Sequence, residues 1–120
     1  MSPEDRRFGF RVPVSLFMDH YIAERRRRAL TVDLSERGAF FHAVGPENEG
    51  VMAVELKLPG DPDSIWARAE VCRTGSDDFC SGTGIRFTHM ARLHARKLRD
   101  FCANTKRQHL SELLAKIRAA

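Results

Sequence analysis

Two short stretches hold residues that could do chemistry together. Arg7-Phe8-Gly9-Phe10-Arg11 is an RxxxR pattern, and Asp33-Leu34-Ser35-Glu36-Arg37-Gly38 is a DxSxxG pattern. Arginine carries a rigid planar fork that matches phosphate oxygens and can stack on a base. A carboxylate such as Asp33 can accept hydrogen bonds from the N1–H and amino group of a guanine. Ser35 offers a short donor and acceptor beside it. Gly38 permits a backbone conformation or a close approach that a Cβ would block. Together the two stretches suit a nucleotide carrying two negative charges. Each pattern alone is weak. RxxxR recurs at Arg92 to Arg96, where an ordinary solvated helix face is expected, and DxSxxG also describes a turn between strands.

Their use depends on the elements that position them. Met1 to Pro13 reads as an extended basic arm, because Pro3 and Pro13 discourage helix and Val12 precedes a proline. Strands are expected at Ser15 to Ala23, Ala29 to Leu34, Gly38 to Ala43, Val51 to Leu58, Ile65 to Arg73 and Thr83 to Thr88. Alternation is clearest in the fourth, where Met52, Val54, Leu56 and Leu58 share one face. Turns are expected at Gly45 to Gly50, Pro59 to Asp63 and Gly75 to Asp78. Six short strands parted by turn signals point to an antiparallel barrel or sandwich. The four arginines Arg25 to Arg28 fall just before the second strand, near a turn, where a solvated turn, an extension of an anion site or a partner-binding patch are the readings.

From Ala91 to Ala120 there is no Pro or Gly, and good helix formers dominate. One long helix is expected, with Thr88 as N-cap and a break or bend near Asn104. Leu98, Phe101, Cys102 and Thr105 follow helical spacing. So do Leu110, Leu113, Leu114 and Ile117, a stripe for another chain or for the same domain.

The whole is 120 residues, one domain's worth, with a net charge of +4 and a hydrophobic fraction of 42%. No apolar run is long enough to span a bilayer, and residues 1–11 lack the apolar core of a signal peptide, so a cytoplasmic protein is expected. Cys72, Cys80 and Cys102 read as reduced thiols used as small core residues. His20, His42, His89, His94 and His109 show no metal-ligand spacing with one another or with the cysteines. No triad spacing and no phosphate-cradling glycine loop is present. Neither a metal, a cofactor nor catalysis is expected. Trp66 reads as core or barrel-surface packing.

In order, RxxxR, a strand, DxSxxG at a strand end, a barrel and a helix resemble the PilZ family. Gly82-Thr83-Gly84-Ile85-Arg86-Phe87 resembles that family's late GxGxxF strand, and Ile65 to Arg73 the strand before it. The likeness covers Arg6 to Leu98. It implies a mainly β fold: a flexible basic arm over residues 1–13, a six-stranded antiparallel β-barrel over 14–88, and a long C-terminal α-helix over 89–120, all one domain. It further implies cyclic di-GMP as ligand, held between barrel and arm. By position Arg7 and Arg11 would grip phosphates and guanine, Asp33 and Ser35 would read a guanine edge, and Gly38 would keep the backbone close. Arg6 beside the motif would accompany a stacked pair of ligands, and Arg37, a departure from the small residue usual there, would add a phosphate contact. Ligand binding would order the arm and signal to an effector protein whose identity the sequence does not show. Two other readings stand beside this one: an adaptor acting through protein contacts alone, and a basic nucleic-acid-binding module. An aromatic platform interleaved with the basic residues, which the last would need, is not evident in the sequence. A homo-oligomer through the C-terminal helix follows if the Leu110 to Ile117 stripe packs on another chain and not on its own domain.

Overall fold

Period-two alternation sends Met18 and His20, Ala29 and Thr31, Met52, Val54 and Leu56, and Ile65, Ala67 and Ala69 to one side of their strands, and all are buried. In the computed structural model, residues 11–42, 50–76 and 81–119 are described. Arg6, Arg7, most of the turn from Gly45 and Cys80 lie outside the described residues. The elements are β1 (Val12–Pro13), β2 (Phe17–Ile22), β3 (Arg25–Ser35), β4 (Gly38–His42), β5 (Val51–Leu56), β6 (Ile65–Ser76), β7 (Ser81–Met90) and α1 (Arg92–Ala119).

The strands pair antiparallel in the order β3-β2-β5-β6-β7-β4, and β4 pairs again with β3. That last pairing closes a six-stranded barrel and removes both sheet edges. The buried faces meet inside, with Phe41, Leu34 and Ile85 joining those named above. β1 is a two-residue addition to the end of β3, with Val12 opposite Leu34 and Pro13 opposite Asp33. The sequence does not announce it.

β2 and β3 meet in a two-residue hairpin, since Ile22 pairs with Arg25. Ala23 and Glu24 therefore both take positive φ, 48° and 67°. This is the geometry that favours Asn-Gly, and residues with a Cβ are strained in it. Ala23→Asn with Glu24→Gly is expected to raise stability by about 1 kcal/mol in urea unfolding. An unchanged midpoint would contradict the strain.

α1 runs unbroken through Asn104, so the expected break is absent. Thr88 does not cap it. Thr88 lies inside β7, and its Oγ1 donates to the Arg68 carbonyl at 3.2 Å. The first helical bond runs from Ala95 N–H to Ala91 carbonyl at 2.9 Å. Leu98 and Cys102 are buried in the core cluster beside Val12 and Leu34, while Phe101 packs on its edge. Two polar contacts fix the same half: Lys97 Nζ lies 3.0 Å from Asp61 Oδ2, and Trp66 N–H donates to His94 Nδ1 at 3.1 Å. Beyond Thr105 every described residue is exposed, including Leu110, Leu113, Leu114 and Ile117.

Other expectations change in detail. Arg25 to Arg28 are part of β3 rather than a turn before it, because they pair with Ile22 back to Asp19. Gly75 and Ser76 pair with Gly82 and Ser81, so β6 runs through what the glycine suggested was a turn. Leu58 is buried but lies outside β5. Cys72 is exposed, not core, whereas Cys102 is buried. Burial pushes the Cys102 thiol up to about 11, so it stays protonated and unreactive.

Candidate functional site

The DxSxxG stretch begins with a β-bulge. Thr31 pairs with Phe41 and Asp33 pairs with Phe40, so Val32 is one residue too many on β3. Ala29 and Thr31 point into the barrel. Unbroken alternation would put Asp33 inside next. The bulge shifts the phase by one, Leu34 becomes the buried residue, and Asp33 faces outward at half-burial. Without that extra residue a carboxylate would sit in an apolar core, at a penalty of several kcal/mol, roughly.

The chain leading from the arm is stitched across this bulge. Val14 N–H donates to the Val32 carbonyl at 3.2 Å, and Thr31 N–H to the Leu16 carbonyl at 2.9 Å. Thr31 Oγ1 donates to the Val14 carbonyl at 2.6 Å and accepts from Leu16 N–H at 2.9 Å. The stitching brings Arg11 alongside Asp33, with Nη1 3.6 Å from Oδ1. The two motifs, separate in sequence, therefore meet. Asp33 Oδ1 is covered and has no hydrogen-bond partner among the described residues, while the side chain as a whole is 27% exposed. One carboxylate oxygen thus lies at the bottom of the site, and the guanidinium beside it is half exposed.

Ser35 closes the turn between β3 and β4. Its Oγ accepts from Arg37 N–H at 3.1 Å and from Gly38 N–H at 3.2 Å, and it donates to the Gly38 carbonyl at a long 3.4 Å. Both acceptor sites of the hydroxyl are used, and only the weakly held proton is available to anything else. Gly38 has a reason inside the barrel. A Cβ there would sit 2.1 Å from the Ile85 carbonyl oxygen on β7. Arg37 is exposed, and its carbonyl accepts from Phe87 N–H at 2.7 Å. Among the site residues expected from sequence, Arg11, Asp33, Ser35, Arg37 and Gly38 gather at one end of β3; Arg6 and Arg7 are outside the described residues.

Sequence reasoning missed Thr31, whose hydroxyl holds the incoming chain. It also missed the acidic centre of the arginine run. Asp19 Oδ1 accepts from Arg28 Nε at 2.9 Å, and Arg26 Nε lies 3.4 Å from Oδ2. Arg28 chiefly holds the Asp19 carboxyl below its ordinary 3.8, despite its partial burial. A lowered folded-state value means that the stabilisation is complete above about pH 4 and fades as pH falls through the lowered value. Asp19→Asn should therefore flatten the acid limb of a urea-stability profile between pH 5 and 2, roughly, and an unchanged limb would remove Asp19 from the account.

Among the described residues no group of His, Cys, Asp and Glu could hold a metal ion, and no helix is long and apolar enough to cross a membrane.

Comparison with known proteins gives this geometry a context. The structure of the Bacillus subtilis inhibitor of motility, MotI/DgrA, matches with a TM-score of 0.73 at 16% identity, over 82% of this chain and 50% of that one. The PilZ domain of Escherichia coli YcgR, solved with cyclic di-GMP, matches at 0.66 and 17% identity, over 87% and 94%. A Xanthomonas campestris PilZ protein, described as a tetramer self-assembled through a helical bundle, matches at 0.56 and 19% identity, over 74% and 51%. This chain thus spans about half the length of the Bacillus and Xanthomonas proteins. At these identities the likeness is one of fold. No curated protein matches the sequence. The model of the PilZ domain family matches residues 5–104, most of the chain, and this protein belongs to that family.

Proposed function

We propose that this chain binds cyclic di-GMP at the end of β3 and passes the signal to a partner protein. The observation that carries the reading is the pairing of Arg11 with Asp33 over a covered, unbonded carboxylate oxygen. A guanine brings two N–H donors to such a carboxylate, and its phosphates bring negative charge to the arginines. In this reading Arg11 leaves Asp33 for the ligand, Arg6 and Arg7 close over it from the arm, and Arg37 borders it. Ser35 turns its weakly held proton towards the base. The arm orders on binding, and the new surface is what the effector reads. The bound YcgR domain, which shares the fold, supports the ligand's identity. Calorimetric titration with cyclic di-GMP, with GTP and cyclic di-AMP as controls, tests it. Selective binding at micromolar concentration or below is expected. No heat from a protein shown to be folded would leave the reading of an adaptor that works through protein contacts alone.

A second part of the proposal concerns assembly. Leu110, Leu113, Leu114 and Ile117 form an exposed stripe on the free half of α1, and the Xanthomonas relative assembles through helices. Ending the chain after Thr105 is expected to reduce an oligomer to monomer in light scattering while cyclic di-GMP binding persists. An unchanged mass would count against a helix-mediated assembly.

A further inference from the structure

The barrel carries a second cluster suited to a nucleic acid, far from the arginine–aspartate pair. Cross-strand pairing sets five residues in one row: Arg26 on β3 opposite Tyr21 on β2, Tyr21 opposite Ala53 on β5, Ala53 opposite Arg68 on β6, and Arg68 opposite His89 on β7. Tyr21 is half-buried and the other four are exposed. From the next row Trp66, 45% exposed, stacks on Tyr21 with ring centroids 5.7 Å apart and an interplanar angle of 28°. Tyr21 is fixed in turn, its hydroxyl donating to Glu55 Oε1 at 3.1 Å. A shallow groove of about 840 Å³ runs here, lined by Tyr21, Ala53, Trp66, Arg68, Thr88 and His89.

The charges favour an anion. Arg68 meets no carboxylate among the described residues. Arg26 and Arg28 share Asp19, so that group of three keeps a net positive charge. Glu55 stays negative under the bond from the neutral Tyr21 hydroxyl, but Arg68 offsets it and the face as a whole remains positive. Cation, aromatic pair, small floor residue, cation and imidazole in sequence across a barrel face is the pattern that binds single strands: bases stack on rings and phosphates meet guanidinium groups. A duplex would present its bases only by their edges and could not use the rings. Arg26 and Asp33 are seven residues apart on β3, about 23 Å at the rise of a strand, so the two sites are distinct.

We propose that this groove binds single-stranded nucleic acid, with a base stacked on Trp66 and its flanking phosphates on Arg68 and Arg26. Trp66 is the chain's single tryptophan, so its fluorescence reports on the groove directly. Ten-nucleotide oligothymidylate and oligouridylate, titrated into the full chain at low salt, are expected to quench it. Affinity should fall with salt on a log–log slope of about −0.7 for each phosphate held. Arg68→Ala should make that slope shallower by about one such step. Trp66→Ala, at an exposed position, should lower affinity by roughly 10- to 100-fold in the anisotropy of labelled oligonucleotide. Saturating cyclic di-GMP should leave binding unchanged, so this test stands whether or not the other site binds its ligand. Absence of both quenching and anisotropy change would overturn the proposal. So would wild-type affinity in both the Trp66→Ala and Arg68→Ala variants, or displacement by cyclic di-GMP.

Discussion

Arg11→Ala is expected to weaken cyclic di-GMP binding by roughly 10- to 100-fold and to leave the melting temperature nearly unchanged. The asymmetry follows from the geometry. In the free protein Arg11 is half exposed and pairs with Asp33 at 3.6 Å, too long for a hydrogen bond. Exposed pairs of this kind contribute up to about 1 kcal/mol. Against a phosphate the same guanidinium would make charge-assisted bonds, which are worth about 1.5–3 kcal/mol each. Asp33→Ala should weaken binding by about 1–3 kcal/mol through the base instead of the phosphate. Calorimetry at one salt concentration, paired with thermal unfolding, separates the two effects. Full affinity in either variant would sink the site assignment. A large fall in melting temperature for Arg11→Ala would show that the pair holds the fold.

The reverse is expected of Gly38→Ala. Its Cβ would meet backbone, the Ile85 carbonyl oxygen at 2.1 Å and the carbonyl carbon at 3.2 Å. A flexible side chain could move aside, but a strand cannot. Gly38 is paired with both Ser35 and Arg86, where β4 joins its two neighbours in the closed barrel. Moving β7 away would open the ladder that also includes the 2.7 Å bond from Phe87 N–H to the Arg37 carbonyl. The expected loss is at least ~3 kcal/mol. For a domain of this size the melting temperature should fall by roughly 10 °C or more. Circular dichroism would show it without any ligand. A melting temperature equal to wild type would return the final glycine of the motif to a ligand-side role.

The contrast shows where the sequence was legible. Strand alternation in Val51 to Leu58 and helix-forming composition after Ala91 were enough for the elements, because burial on one face is written in residue type. The pairing of RxxxR with DxSxxG was legible as chemistry, and the barrel does place Arg11 on Asp33. The bulge at Val32 was not drawn from the pattern, although a sign of it was present. Ala29, Thr31 and Asp33 in strict alternation would have buried a carboxylate and exposed Leu34. β1 was hidden by Pro13, which reads as loop but tolerates a sheet edge. The break expected at Asn104 is missing because a single poor helix former inside a long run is carried by its neighbours. The row from Arg26 to His89 was invisible for a different reason. Its members come from five strands, and only the register of four pairings brings them together.

The single unbroken helix has a kinetic consequence. Its first half shares the barrel's burial, whereas every residue from 106 to 119 is exposed. An exposed segment of that length is marginal as a helix in water. Its amide hydrogens should therefore exchange with solvent through local fraying, while those around Leu98 and Cys102 wait for the barrel itself to open. Anything that covers the Leu110 to Ile117 stripe would erase that gradient. The tail of α1 thus works as a built-in gauge of occupancy: the exchange rates of its last four turns tell whether the protein is alone or engaged.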